Sequence, residues 1–184
     1  MDLEHVDKVT AGAVGEPGER TFYIQAREGA RLVTIHVEKE QVLLLSTSIL
    51  EILATVGRET GEGPPEEALE LEPPLEPLWR AGRLSIGYVE DRDRMLLELE
   101  ELVEGREGTE EEEDEPAPNL PDPDLPEPAR VRVWATREQM LALSRHGAAV
   151  AARGRPRCRF CGNPMDPQGH TCPAMNGHRE IARR

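Results

Sequence analysis

Val33-Thr34-Ile35-His36-Val37-Glu38-Lys39-Glu40-Gln41-Val42-Leu43-Leu44-Leu45-Ser46 aligns at a fixed offset with Val131-Arg132-Val133-Trp134-Ala135-Thr136-Arg137-Glu138-Gln139-Met140-Leu141-Ala142-Leu143-Ser144. Valine, Glu-Gln, two leucines and the serine coincide. Each stretch opens with the alternating apolar pattern of a strand and passes directly into apolar residues at helical spacing. Thr136 followed by Gln139 has capping-box spacing, which sets the start of the second helix. Duplication of one strand-to-helix unit and chance similarity of two such junctions both account for the match.

Working outward, each junction has strand partners. Phe22-Tyr23-Ile24-Gln25-Ala26 is the first clear β segment, and Glu28-Gly29-Ala30 turns it back into Leu32, Val33, Ile35 and Val37. A helix follows from about Glu38 to Val56, with Val42, Leu45, Ile49, Ile52, Leu53 and Val56 on its core stripe and Gly57 as its cap. In the second half, Leu84, Ile86 and Tyr88 form one hairpin arm and Met95, Leu97 and Leu99 the other, joined by Asp91-Arg92-Asp93. Strand Val131–Trp134 then enters a helix from about Thr136 to Arg153. Residues 10–21 read as a turn-rich lead-in to the first strand.

One half-unit cannot bury its own apolar face, whereas two can share a core. The expected fold is therefore α+β: a mixed sheet from two hairpin or strand-plus-helix half-units, finished by a C-terminal zinc knuckle. Residues 1–153 form the core and 154–184 a knuckle tail with an arginine-rich lead-in. Within the core, residues 58–77 read as a proline- and glutamate-rich linker. Residues 104–128, acidic and then proline-rich, read as a disordered loop, because they cannot bury enough apolar area to offset the entropy of ordering.

The charge is strongly asymmetric. The net charge of -14 divides into -12 over residues 1–103, -10 over 104–129 and +8 over 130–184. An acidic body thus ends in a basic tail, a pattern that marks interaction surfaces. Long-range repulsion from the body opposes binding to nucleic acid. The stretch from Val42 to Val56 is too short and too polar to span a bilayer, and the N-terminus lacks the basic-then-apolar order of a signal peptide. The expected location is the cytoplasm, without membrane association.

All three cysteines fall between positions 158 and 172. An odd number crowded into one short tail argues against a disulfide framework and for metal ligation. Cys158-x-x-Cys161 followed by Gly162 is the turn of a zinc knuckle, and His170 and Cys172, two apart, face the same side of an extended segment. Cys158, Cys161, His170 and Cys172 would close a tetrahedral Zn²⁺ site with no open position, one that stabilises and does not activate water. His178 is a rival fourth ligand. A redox Cys-x-x-Cys pair is the competing reading, but Pro156 and Pro164 flank the pair as in a loop, not at the start of a helix.

Arg153, Arg155, Arg157 and Arg159 alternate along the lead-in. In an extended chain they form a comb suited to phosphates of nucleic acid or of a small ligand; a solvated connector is the bland counterpart. Neither a dinucleotide nor a phosphate loop, nor a zinc-protease or serine-hydrolase motif, is present. His36 reads as a solvent-facing strand residue and His146 as a surface or cap residue. The sequence therefore leans away from an enzyme and towards a binding or regulatory module that presents its arginine-rich tail to a protein or phosphate-bearing partner. An enzyme of unknown class using a groove in the core near Arg20 and Arg27, or a nucleic-acid binder, is the alternative.

Gly15-Glu16-Pro17-Gly18-Glu19-Arg20-Thr21-Phe22, Gln25-Ala26-Arg27-Glu28-Gly29-Ala30-Arg31 and Glu38-Lys39-Glu40-Gln41-Val42 resemble the N-terminal half of an uncharacterised bacterial family. This is the domain-of-unknown-function 3090 family, largely actinobacterial. The tail, from Cys158-x-x-Cys161-Gly162-x-Pro164 through His170-x-Cys172-Pro173 to Asn176-Gly177, resembles that family's ending. The likeness covers both folded halves and leaves the loops 58–77 and 104–128 outside. It implies a bacterial cytoplasmic protein and supplies no activity. In the family pattern the position of His178 is commonly tyrosine, which favours His170 as the ligand.

Overall fold

A computed structural model of the chain describes residues 1–103, 126–154, 157–165 and 169–175, and the backbone of 180–181. Its first half is a three-stranded antiparallel meander followed by a helix: β2 (Lys8–Val14), β3 (Thr21–Glu28), β4 (Arg31–Val37) and α1 (Lys39–Val56). Its second half repeats the plan with β5 (Ala81–Val89), β6 (Arg94–Glu101), β7 (Arg130–Ala135) and α2 (Arg137–Ala152). The N-terminal β1 (Asp2–Leu3) adds to β7 in parallel, which makes the second sheet mixed, in the order β1-β7-β6-β5. The α+β class with a mixed sheet holds. The strands divide between two sheets, however, because the edge of β4 is closed by the segment leading into β5: Leu78 N donates to Thr34 O at 2.9 Å and His36 N to Trp79 O at 3.0 Å.

Alternation explains which faces meet. Phe22, Ile24 and Ala26 of β3 are buried with Val33, Ile35 and Val37 of β4, and in the second half Met95, Leu97 and Leu99 with Val131, Val133 and Ala135. Each fully buried aliphatic side chain of this set contributes about 1.5–3 kcal/mol against exposure. The core stripe of α1 is present at Val42, Leu45, Ile49 and Leu53, whereas Ile52 and Val56 are only half-buried. Gly57 caps α1 with φ of 64°, a left-handed conformation that glycine adopts without strain.

The two halves contact each other through residues that are equivalent in the two copies of this plan. Ser144 Oγ donates to Ser46 O at 2.8 Å where the helices cross, so a residue meets its own counterpart. Both helices are capped by the same device: Glu38 N donates to Gln41 Oε1 at 2.8 Å and Thr136 N to Gln139 Oε1 at 2.9 Å. Each of these glutamines also reaches across to the other half, Gln41 Nε2 to Ala81 O at 3.2 Å and Gln139 Nε2 to Val6 O at 2.8 Å. Reciprocal contacts of this kind are the mark of an isologous interface. They are made by residues that the internal sequence match also pairs.

Two sequence expectations change. Residues 10–14, expected within a turn-rich lead-in, belong to strand β2: Val9 and Ala11 are buried in the core, while Gly12 is kept small by Leu71, whose side chain lies where a Cβ would stand. The 58–77 connection is not a free linker. It contains a short 3₁₀ turn at Glu66–Leu69 and packs as a strap on the first sheet, with Leu69 buried. Its backbone is held by side chains of that sheet: Thr10 Oγ1 donates to Leu69 O at 2.5 Å, Gln25 Nε2 to Glu72 O at 2.8 Å, and Gln25 Oε1 accepts from Glu72 N at 2.8 Å. The acidic stretch 104–128 lies, residues 126–128 apart, outside the described residues.

Candidate metal centre

The tail builds its site from a tight loop and a short strand. Cys158 N donates to Asn163 O and Gly162 N to Cys158 O, both at 2.8 Å, and Arg157 bridges Pro164 to close the loop. Gly162 takes φ of 74° at the point where the chain reverses, so a side chain there would be strained. β8 (His170–Thr171) pairs antiparallel with β9 (Glu180–Ile181) and brings the second pair of ligands under the loop.

Cys158, Cys161, His170 and Cys172 converge, with one ligand atom of each within 4.8 Å of all the others. Cys158 Sγ lies 3.8 Å from Cys172 Sγ, and Cys161 Sγ lies 3.2 Å from His170 Nε2. Tetrahedral zinc with sulfur ligands at about 2.3 Å places two sulfurs about 3.8 Å apart. A disulfide would hold them at about 2.05 Å, so the arrangement fits a metal and not an oxidised pair. The four residues are positioned to bind a metal ion, and the donor set is compatible with zinc.

Local electrostatics divide the thiols. Burial pushes the Cys158 thiol up, but the backbone amides of Cys161 and Phe160 and the neighbouring thiols outweigh it and hold the group below its ordinary value. Phe160 N donates to Cys158 Sγ at 3.4 Å, the amide-to-thiolate contact that a metal-bound sulfur uses. Burial pushes the Cys172 thiol up, and the two other cysteines push it further. Cys158 and Cys172 are buried, and a bound divalent ion would favour the thiolate form of each. With Nε2 turned to Cys161, His170 keeps Nδ1 buried and without a partner among the described residues.

The described arginines of the lead-in each have a separate neighbour. Arg153 pairs with Glu66 at 3.0 Å, Arg157 Nη1 donates to Gly162 O at 3.3 Å, and Arg159 lies 4.7 Å over the ring of Phe160, which is 49% exposed. Arg155 and the rival ligand His178 lie outside the described residues. The chain turns at residues 159–161.

Arg20 and Arg27 flank opposite ends of β3 and form no common site. Arg20 Nη1 donates to Val150 O at 2.9 Å, capping the end of α2, and Arg27 Nε lies 3.4 Å from Glu72. His36 stacks against Tyr23 with ring centroids 6.0 Å apart. His146 is half-buried, its Nδ1 has no partner among the described residues, and burial holds its pKa below the ordinary value.

Two polar clusters had no signature in the sequence. One is the strap grip of Lys8, Thr10, Gln25 and Glu72. The other is centred on Asp93, which accepts from Tyr88 Oη at 2.7 Å and from Arg137 Nε at 3.0 Å, with Arg58 at 3.6 Å. The Tyr88 hydroxyl and the Arg137 guanidinium hold the Asp93 carboxyl below its usual range. Asp93 was legible only as a turn residue, and its φ of 46° agrees with that.

The model of the family described as "Protein of unknown function (DUF3090)" matches residues 1–172, and the chain belongs to that family. No curated protein and no solved structure matches it.

Proposed function

We propose that this member of the DUF3090 family is a zinc-stabilised binding module, with Cys158, Cys161, His170 and Cys172 holding Zn²⁺ in a structural role. The observation that carries this reading is the convergence of four donors of Cys₃His type within 4.8 Å. Four protein ligands fill a tetrahedral shell, so the ion has no position for water or substrate and acts by ordering the tail. What it orders is a surface at the turn between the first two cysteines. There the exposed Phe160 ring and the Arg159 guanidinium stack beside the ligands. An aromatic face with a guanidinium on it favours a partner bearing phosphate or carboxylate groups, a protein before a nucleic acid given the net charge of -14.

Metal content tests the reading directly. Protein purified without added metal should carry one zinc per chain by elemental mass spectrometry, and Cys172→Ser and His170→Ala should both lose it. Three freely titrating thiols and no zinc in the parent would end the structural-zinc reading and return Cys158 and Cys161 to redox candidates. Binding to the tail is then read by titrating a fluorescent phosphopeptide onto the parent and onto Arg159→Glu. Equal affinity of the two would remove Arg159 from the binding surface.

A further inference from the structure

The matching cross-strand registers place a counterpart of the strap site on the second sheet. In the first half, Lys8, Thr10, Gly12, Gln25 and Arg27 line the outer face of β2 and β3. The cross-strand registers assign their counterparts one by one: Lys8 opposite Arg27 corresponds to Arg83 opposite Glu100, Thr10 opposite Gln25 to Ser85 opposite Glu98, and Gly12 opposite Tyr23 to Gly87 opposite Leu96. On the first sheet this face is filled. Thr10 and Gln25 bind the strap backbone, Leu71 lies over Gly12, and Lys8 Nζ bonds to Glu70 O and meets the Glu72 carboxylate at 3.0 Å.

On the second sheet the face is open over Gly87 among the described residues, and the Arg92 guanidinium lies 4.4 Å over the Trp134 ring. A cleft of about 200 Å³ opens there, lined by Arg83, Ser85, Glu98, Glu100 and Arg130. A Cβ built on Gly87 meets no atom within 4 Å, whereas the same construction on Gly12 runs into Leu71. The charges in the cleft are not balanced evenly. Arg130 neutralises Glu100 at 3.0 Å and Arg132 neutralises Glu98 at 2.7 Å. Arg83 has no ion-pair partner among the described residues, so the charge left to a ligand is positive.

We infer that the outer face of β5, β6 and β7 binds an extended peptide of apolar–acidic character, in the manner in which the first sheet binds the chain's own strap. The peptide's apolar side chain fills the space over Gly87, next to Leu96 and Trp134 in the same cross-strand row. Its adjacent carboxylate pairs with Arg83. Its backbone N–H donates to Glu98, which occupies the position of Gln25, and its backbone carbonyl accepts from the Ser85 hydroxyl, which occupies that of Thr10. Main-chain bonds give such a peptide affinity, and the pocket over the glycine gives it specificity. This site is separate from the metal centre and stands whether or not the tail holds zinc.

The probe is a fluorescein-labelled peptide with the strap's own sequence, residues 67–75, titrated onto the full chain and read by anisotropy. Saturable binding is expected, with Gly87→Leu weakening it about tenfold or more, since it removes a buried apolar anchor. Arg83→Glu should weaken it similarly and abolish its dependence on salt. Gly87 is a strand residue with open space around it, and Arg83 is exposed and has no ion-pair partner among the described residues, so both variants should keep the parent's circular dichroism and melting temperature. A peptide carrying Asp in place of Leu71 should fail to bind the parent. Binding unchanged in Gly87→Leu would mean that the peptide seats elsewhere or exchanges with the strap, and would overturn the inference. So would the absence of saturation up to millimolar peptide.

Discussion

Gln25 is the residue on which the strap depends most, and Gln25→Ala tests that dependence. The side chain is 1% exposed and makes three hydrogen bonds: Nε2 to Thr34 Oγ1 at 3.0 Å and to Glu72 O at 2.8 Å, and Oε1 from Glu72 N at 2.8 Å. Each contributes about 1 kcal/mol net, and truncation leaves the Glu72 amide and carbonyl without partners, so the loss is about 3 kcal/mol. The chain cannot regain these bonds to water while Leu69 stays buried and Leu71 stays over Gly12. The strap must therefore either remain at that cost or lift. With an unfolding slope of about 2 kcal/mol/M, the urea midpoint should fall by about 1.5 M if the strap unfolds with the core. If it lifts alone, protease cleavage within residues 58–77 should speed up by about a hundredfold while the midpoint moves little. A midpoint within about 0.3 M of the parent, together with unchanged cleavage, would refute the grip.

Chelation of the metal, or Cys172→Ser, should unfold the tail and leave the core intact. The buried side chains of the core are contributed by the two sheets and helices, and Cys158 and Cys172 are buried apart from them. Amide exchange should become fast at residues 157–165 and 169–175 and stay slow at Leu97 and Ile35; a core that melts with the tail would contradict this separation. His146 should make stability pH-dependent. Burial is the main cause that lowers its folded pKa; Arg153 and Lys8 lower it and Glu66 and Glu70 raise it. Below the ordinary value of about 6.5 the unfolded chain then binds the proton more readily, so stability is full above that pH and falls as pH drops through it. His146→Gln should flatten this slope between pH 7 and 5, and an unchanged slope would exclude His146 as its source.

Local chemistry made much of this molecule legible in the sequence. The two strand-to-helix junctions, the Gly29 turn, the Thr136–Gln139 box and the cap at Gly57 each declare themselves through residues that interact within a few positions. The four donors of the candidate metal site were legible for the same reason: Cys158 and Cys161 share one loop, and Cys172 directly follows the strand that carries His170. Features that depend on distant partners were not. Glycine and alanine in Lys8–Val14 look like turn material until α2 and Leu71 are seen to require small residues there. The strap looks like solvated linker because its proline and glutamate content says nothing of the side chains from β2 and β3 that bond to its backbone.

The symmetry also locates what is individual to each half. Where the first half joins β3 to β4 by the two-residue turn Gly29-Ala30, the second inserts the long acidic stretch between Glu101 and Arg130. The chain leaving α1 runs across the outer face of the first sheet as the strap, whereas the chain leaving α2 enters the metal knuckle. These differences are linked. A segment diverted into four metal ligands is not available to lie on the second sheet, and the second sheet is the one whose face stays open over Gly87. A glycine in that row is needed on the first sheet to admit Leu71. On the second sheet no residue of the described chain makes the same demand, so the space over Gly87 is explained by a side chain supplied from elsewhere.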